Sequence, residues 1–194
     1  MPMQQSTMIP LGSSMPTFTL PDVVSGRTVA SDTLDVNKPV LVLLICAHCP
    51  FSRHLAPAIK ALAHDYRDRV TLLALSANDP KIVPEDSPEG LKGLAQTLEW
   101  PAPFLFDQSQ DVARAFGAAC SPECYLYDAR RSLVYRGQID DSRPGTGRRP
   151  TAAPVRDALE AVLRGLPVDP NQKPGVGCNI KWTPRSAGAP IASR

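Results

Sequence analysis

Eight residues, Pro39-Val-Leu-Val-Leu-Leu-Ile-Cys46, constrain this chain more than any others. The run from Val40 to Ile45 is apolar at every position instead of alternating, so it reads as a central strand covered on both faces. Directly after it come Cys46-Ala47-His48-Cys49. From Cys49 to about Asp68, Leu55, Ile59, Leu62, Ala63 and Tyr66 recur at helical spacing, with charged side chains between them. Two cysteines in a Cys-x-x-Cys spacing therefore stand where a buried strand hands over to an amphipathic helix. Pro57 falls inside the helical pattern and predicts a kink near residues 53–57, or two shorter helices meeting there.

The rest of the chain alternates in the same manner. A strand is predicted over Val70–Ser76 and a loop around Asn78-Asp79-Pro80. Ser87-Pro88-Glu89 supplies an N-cap, a first-position proline and a first-turn acid for a helix over about 88–99. Phe104–Phe106 reads as a short strand. Asp107 or Ser109 can cap a helix running to Phe116, which Gly117 ends. Two strands, Cys124–Asp128 and Ser132–Ile139, and a helix over Thr151–Arg164 ending at Gly165 complete the pattern. This order predicts an α/β fold, a central mixed sheet flanked by helices, with an N-terminal hairpin around Ser25-Gly26. The 21 prolines and 12 glycines concentrate in the first 25 residues, in 143–154 and after Gly165. The expected organisation is a flexible arm over 1–16, one domain over 17–165 and an irregular C-terminal tail over 166–194.

Charge narrows the function. Twenty-one basic and 19 acidic residues leave a formal charge of +2 scattered along the chain, so no face is expected to bind nucleic acid or anionic lipid. The first residues lack a basic segment followed by an apolar run, and no stretch approaches the roughly 20 apolar residues of a membrane span, which predicts a cytoplasmic location. Five cysteines are an odd number, better suited to catalysis, redox work or metal binding than to a framework of structural disulfides. Pairing of chains through a sheet edge or the tail is left open.

A thiol attacks as its thiolate, and its pKa falls at a helix N-terminus, where unpaired amides favour negative charge. At the strand-to-helix junction Cys46 is expected to be the attacking thiol and Cys49, in the first helical turn, the resolving one. His48 between them would stabilise the Cys46 thiolate. The same spacing also serves zinc sites, so Cys46, His48 and Cys49 with Cys120, Cys124 or Cys178 form the alternative metal set.

The chain resembles the redoxin superfamily of thioredoxin-like and alkyl-hydroperoxide-reductase-like proteins, and within it a peroxiredoxin-like bacterial subgroup. The resemblance rests on Cys46-Ala-His-Cys-Pro-Phe51, Pro84-Glu-Asp-Ser-Pro-Glu89, Tyr135-Arg-Gly-Gln-Ile-Asp-Asp-Ser-Arg-Pro144 and Gly177-Cys-Asn-Ile-Lys-Trp182. It implies a thioredoxin-like fold and thiol–disulfide oxidoreductase activity of the Cys46/Cys49 couple in an antioxidant or redox-homeostasis role. It also implies protein or small-molecule disulfide substrates, a thioredoxin or glutathione system as reductant, no cofactor and no resident metal. Peroxiredoxin-like reduction of hydroperoxides is the second activity it implies, and a zinc-binding or redox-sensing interaction module is a third reading. The cis-proline of the fold corresponds to Pro122, after Ser121. Thioredoxins carry a buried acid on the preceding strand, where this chain is wholly apolar. Peroxiredoxins place a proline and a hydroxyl residue ahead of the peroxidatic cysteine. Counted from Cys46 these positions hold Pro39 and Leu43, and counted from Cys49 they hold Val42 and Cys46.

Cys120 and Cys178 are candidate additional thiols, whereas Cys124 reads as a packing cysteine. The Ile180 and Trp182 side chains suggest that the tail clasps the domain. Glu85, Asp86 and Glu89 read as charges at the start of the following helix, His54 and His64 as a solvated helix face, and Arg131, Arg136 and Arg143–Arg149 as surface residues.

Overall fold

In the computed structural model residues 3–184 are described, so the outermost parts of the expected arm and tail, 1–2 and 185–194, lie outside the described residues. The strands are β1 (Met3–Gln5), β2 (Thr19–Pro21), β3 (Thr28–Ala30), β4 (Val40–Leu44), β5 (Thr71–Ser76), β6 (Phe104–Phe106), β7 (Cys120–Ser121), β8 (Glu123–Tyr127), β9 (Leu133–Gly137) and β10 (Val176–Asn179). The α-helices are α1 (Pro50–Tyr66), α2 (Pro88–Thr97), α3 (Asp111–Ala115) and α4 (Ala153–Leu163).

The unbroken apolar run from Val40 carries β4, the middle strand of a five-stranded sheet ordered β6-β5-β4-β8-β9. β5 and β6 run parallel to it, β8 runs antiparallel, and β9, antiparallel to β8, completes the mixed sheet. Its apolar continuity follows from two covers. Leu41, Leu43 and Ile45 pack with Leu55, Ile59 and Leu62 of α1, Leu91 of α2 and Val155 and Leu159 of α4. Val40, Val42 and Leu44 face the opposite side, with Phe18, Phe116, Tyr125 and Tyr127. Each fully buried large aliphatic side chain of this strand contributes roughly 2 kcal/mol.

α1 continues through Pro57 as one helix, not two. Pro57 lies on the exposed side, where solvent can satisfy the carbonyl that loses its helical donor. α3 is shorter than its expected span. Its N-cap position is taken by Gln110, while Asp107 supports the first turn from outside the helix, its carboxylate accepting the amides of Gln110 (2.9 Å) and Ala113 (2.8 Å).

The ends of the chain depart most from expectation. β1 and β10, from segments without any apolar period, join β7 in a separate antiparallel sheet ordered β1-β10-β7. These strands have three, four and two residues, too short for alternation to show, and each finds its partner far away in sequence. Ile180 is buried beyond β10, and Arg114 stacks over the Trp182 ring at 4.0 Å, so the tail does clasp the domain. Close approach of β10 to β7 requires Gly177, where a Cβ atom would lie 2.1 Å from the Ser121 carbonyl oxygen. Gly177→Ala is therefore expected to cost about 1–3 kcal/mol by overpacking and to pull β10 away from β7, read as a lower urea midpoint and faster hydrogen exchange of the Cys178 amide. An unchanged midpoint with unchanged exchange would disprove the contact.

Candidate functional site: a buried three-cysteine cluster

β4 ends at Leu44 and α1 begins at Pro50, so residues 45–49 form the turn that carries the cysteines. The helical N-cap is Cys49, with Pro50 following at the first helical position. The favourable position at the start of α1 thus belongs to Cys49 and not, as the sequence reading expected, to Cys46. The signal was present, since a proline directly after Cys49 marks the preceding residue as a cap.

Asp86 holds the turn. It comes from the loop before α2, is fully buried, and its Oδ1 accepts the amides of Ala47 (2.7 Å) and His48 (3.2 Å). Its Oδ2 accepts from Asn78 Nδ2 (2.7 Å) and meets His48 Nδ1 at 2.5 Å. Burial alone would raise the Asp86 pKa, but the hydrogen bond and charge of His48, with the other donors, bring it below the ordinary carboxylate value. From the solvent side, Arg53 Nε donates to the Ala47 carbonyl at 2.9 Å. Asp86 was read in sequence as helix-start charge. Ser87 already performs the capping, accepting from the Gly90 amide at 3.3 Å, which leaves Asp86 free for the turn 38 residues earlier.

The sulfurs converge behind this turn. Cys46, Cys49 and Cys178 form one cluster with Phe51 packed against it, and they are only 1 %, 0 % and 3 % exposed. β10 brings Cys178 opposite Ser121, and its Sγ stands 3.0 Å from Cys49 Sγ. The Ser121–Pro122 bond is cis. Ser121 serves two cysteines: its Oγ donates to Cys46 Sγ at 3.2 Å, and its carbonyl lies 3.1 Å from Cys49 Sγ. Ser52 Oγ in turn meets Ser121 Oγ at 3.2 Å.

These contacts separate the thiols electrostatically. As a thiol, Cys49 donates to the Ser121 carbonyl. Ionised, it accepts from the Cys46 thiol first, then from the Cys178 thiol and the backbone amides of Ser52 and Cys178, and despite burial its pKa comes down to about 5. Cys46 moves well upward, because it serves as donor to Cys49, is buried, and has the Asp86 carboxylate nearby. Burial and the bond to Cys49 push Cys178 up to about 12. In the reduced cluster the hydrogen bonds thus favour the thiolate form of Cys49 and disfavour it at Cys46 and Cys178.

The remaining expected residues divide clearly. Cys120 is buried beside Glu123, 4.0 Å from its carboxylate, and is pushed up to about 12 by desolvation; it pairs with Asn179 and not with Cys178. Cys124 packs in the helix-side core, as expected. His48 spends its Nδ1 on Asp86, so it anchors the turn besides standing near Cys46. His54 bonds Ser142 at 2.8 Å. Arg131 and Arg136 donate to backbone carbonyls of Lys38, Leu34, Asp35 and Ile9. No acid lies on β4, as read, but the loop before α2 contributes Asp86, and β8 contributes a buried Glu123 directly after the cis-proline.

Among the described residues, Cys46, His48 and Asp86 form one group whose ligand atoms lie within 4.8 Å of one another. Both Asp86 oxygens are already occupied by protein donors, and Cys120 and Cys124 lie outside the group. Among the same residues no helix is long and apolar enough to cross a membrane.

Comparison with known proteins identifies the family and the fold. The AhpC/TSA family model matches residues 11–136. A crystal structure of an uncharacterised conserved protein from Geobacillus kaustophilus is 43 % identical, covering 96 % of this chain and 99 % of that one, with a TM-score of 0.92. A thioredoxin-like protein of Synechocystis sp. is 33 % identical over 93 residues, 47 % of this chain and 77 % of that protein. A secreted disulfide oxidoreductase of Mycobacterium tuberculosis, 14 % identical, shares the thioredoxin-like fold with a TM-score of 0.58 over 74 % of this chain and 95 % of that one.

Proposed function

Since the chain belongs to the AhpC/TSA family, we propose that it is a thiol–disulfide oxidoreductase whose Cys46/Cys49 couple cycles between dithiol and disulfide. The observation that carries the reading is the placement of Cys49 at the α1 N-cap, bonded to Cys46 and favouring the thiolate. In the reaction the Cys49 thiolate attacks one sulfur of a substrate disulfide, whose other sulfur leaves as a thiolate and takes up a proton. Cys46 then gives up its proton and attacks Cys49 Sγ. The mixed disulfide breaks, the second substrate thiol departs, and a Cys46–Cys49 disulfide remains. The substrate has gained two electrons, which a thioredoxin or glutathione system returns to the protein.

Burial of all three sulfurs favours small disulfides, or larger ones admitted when β10 moves aside. A thiol peroxidase is the second reading, favoured by the low pKa of Cys49. With Cys49 as the peroxidatic thiol, the proline and hydroxyl positions ahead of it hold Val42 and Cys46, although Ser121 presents a hydroxyl to Cys46.

The test is stoichiometric. Reduced protein mixed with glutathione disulfide is expected to lose two thiols per chain, with Cys46 and Cys49 linked in the peptide map. In parallel, hydrogen peroxide is expected to be consumed no faster than by a free thiol. Fast peroxide consumption would transfer the assignment to the peroxidase. Stoichiometric zinc in purified protein with no thiol loss would replace both by a metal-binding module.

A further inference from the structure

Cys49 has two sulfur neighbours, and the couple above uses one. The other, Cys178, is held by the strand that covers the site. β10 fixes it through pairing with Met3 on one side and Ser121 on the other, and Gly177 permits the approach. Its Sγ lies 3.0 Å from Cys49 Sγ, about 1 Å longer than a disulfide bond, so a small side-chain movement suffices for bonding. Cys120, on the neighbouring strand, lies outside the cluster that holds Cys46, Cys49 and Cys178.

We infer that Cys178 is a second resolving thiol, which exchanges with Cys49 so that oxidising equivalents pass from the Cys46–Cys49 pair to a Cys49–Cys178 pair. The inference rests on the dithiol reading given above. In this step Cys178 loses its proton and attacks Cys49 Sγ, the Cys46–Cys49 bond breaks, and Cys46 leaves as a thiolate that takes up the proton. One disulfide is exchanged for another, with no net change in oxidation. From the mixed disulfide, the same attack releases the substrate thiol instead of Cys46. The product ties β10 covalently to the start of α1, and reduction frees it. The oxidation state of Cys49 thereby governs how firmly the tail covers the site.

Full-length Cys46→Ser, reduced and then exposed to glutathione disulfide, separates this from a packing role. Cys178 is already in place, so it should resolve the adduct. Two thiols per chain are lost, the peptide map shows Cys49 joined to Cys178, and glutathione on Cys49 is at least about tenfold below that in Cys46→Ser/Cys178→Ser, as expected from the high effective concentration of a neighbouring thiol. Wild-type protein, which needs no variant to fold, should show a Cys49–Cys178 population beside Cys46–Cys49. Equal glutathionylation of the single and double variants, or a wild-type map holding Cys46–Cys49 alone, overturns the role of Cys178 and leaves the dithiol couple standing. Wild-type protein that loses no thiols overturns both.

Discussion

Replacing Cys49 by serine is expected to lower disulfide reduction by about a thousandfold or more, a larger loss than the same change at Cys46 or Cys178, because it removes the attacking group itself. The expectation follows from the shared geometry: both Cys46 and Cys178 are free thiols hydrogen-bonded to Cys49, and in the proposed reaction neither acts without it. Loss of Cys46 leaves Cys178 to resolve the adduct, so turnover falls without vanishing. The accompanying signature is spectroscopic. Cys49 has its pKa lowered to about 5 from an ordinary 9.0, so the ultraviolet thiolate band of wild-type protein should titrate near pH 5 and be absent at neutral pH in Cys49→Ser. A depressed folded-state pKa contributes stability that is fully present above the unfolded value and is lost as pH falls through the folded one. Stability conferred by this thiolate therefore grows between about pH 5 and 9, and that growth disappears in the variant. Retained activity in Cys49→Ser together with a dead Cys46→Ser would return the attack to Cys46.

Why sequence reading favoured Cys46 is instructive. It started the helix at Cys49, as found, yet credited the favourable amides of that helix start to Cys46 at the strand end, whereas the chain spends residues 45–49 on a turn whose geometry is set from outside, by Asp86 and Arg53. β4 was legible because burial on both faces leaves an unbroken apolar run, and α1, α2 and β5 because their periods and caps are local. The cis peptide at Pro122 was anticipated through the family resemblance. The third sulfur was not legible as a neighbour of Cys49. Its position depends on two short pairings, one with residues 3–5 and one with Ser121, and these leave only a glycine and no hydrophobic period in the sequence. Asp86 was hidden for a related reason: a carboxylate before a helix has a ready local explanation. Only the presence of Ser87 as the actual cap shows that explanation to be redundant.

Asp86→Ala is expected to be the most destabilising single change at the site, costing about 3–5 kcal/mol, because four donors, three of them buried, lose their acceptor together. Two of them are the amides of Ala47 and His48, so the damage reaches the cysteine turn directly. Asp86→Asn distinguishes anchoring from charge. Its amide oxygen can keep accepting from the Ala47 and His48 amides, while its NH2 group faces Asn78 Nδ2 and His48 Nδ1, which limits the loss to roughly 1–2 kcal/mol. The asparagine also removes the negative charge that helps hold the Cys46 pKa up, so Cys46 should ionise at lower pH in this variant, read by thiolate absorbance. In wild-type protein the depressed Asp86 pKa gives stability that is present above the unfolded value of 3.8 and is lost as pH falls below it, so acid should erode the wild-type advantage over Asp86→Asn in that window. Urea titrations at neutral and acidic pH measure both effects. An Asp86→Ala midpoint equal to wild type would show that the turn holds itself, and an unshifted Cys46 in Asp86→Asn would show that Asp86 acts on the cysteines through geometry alone.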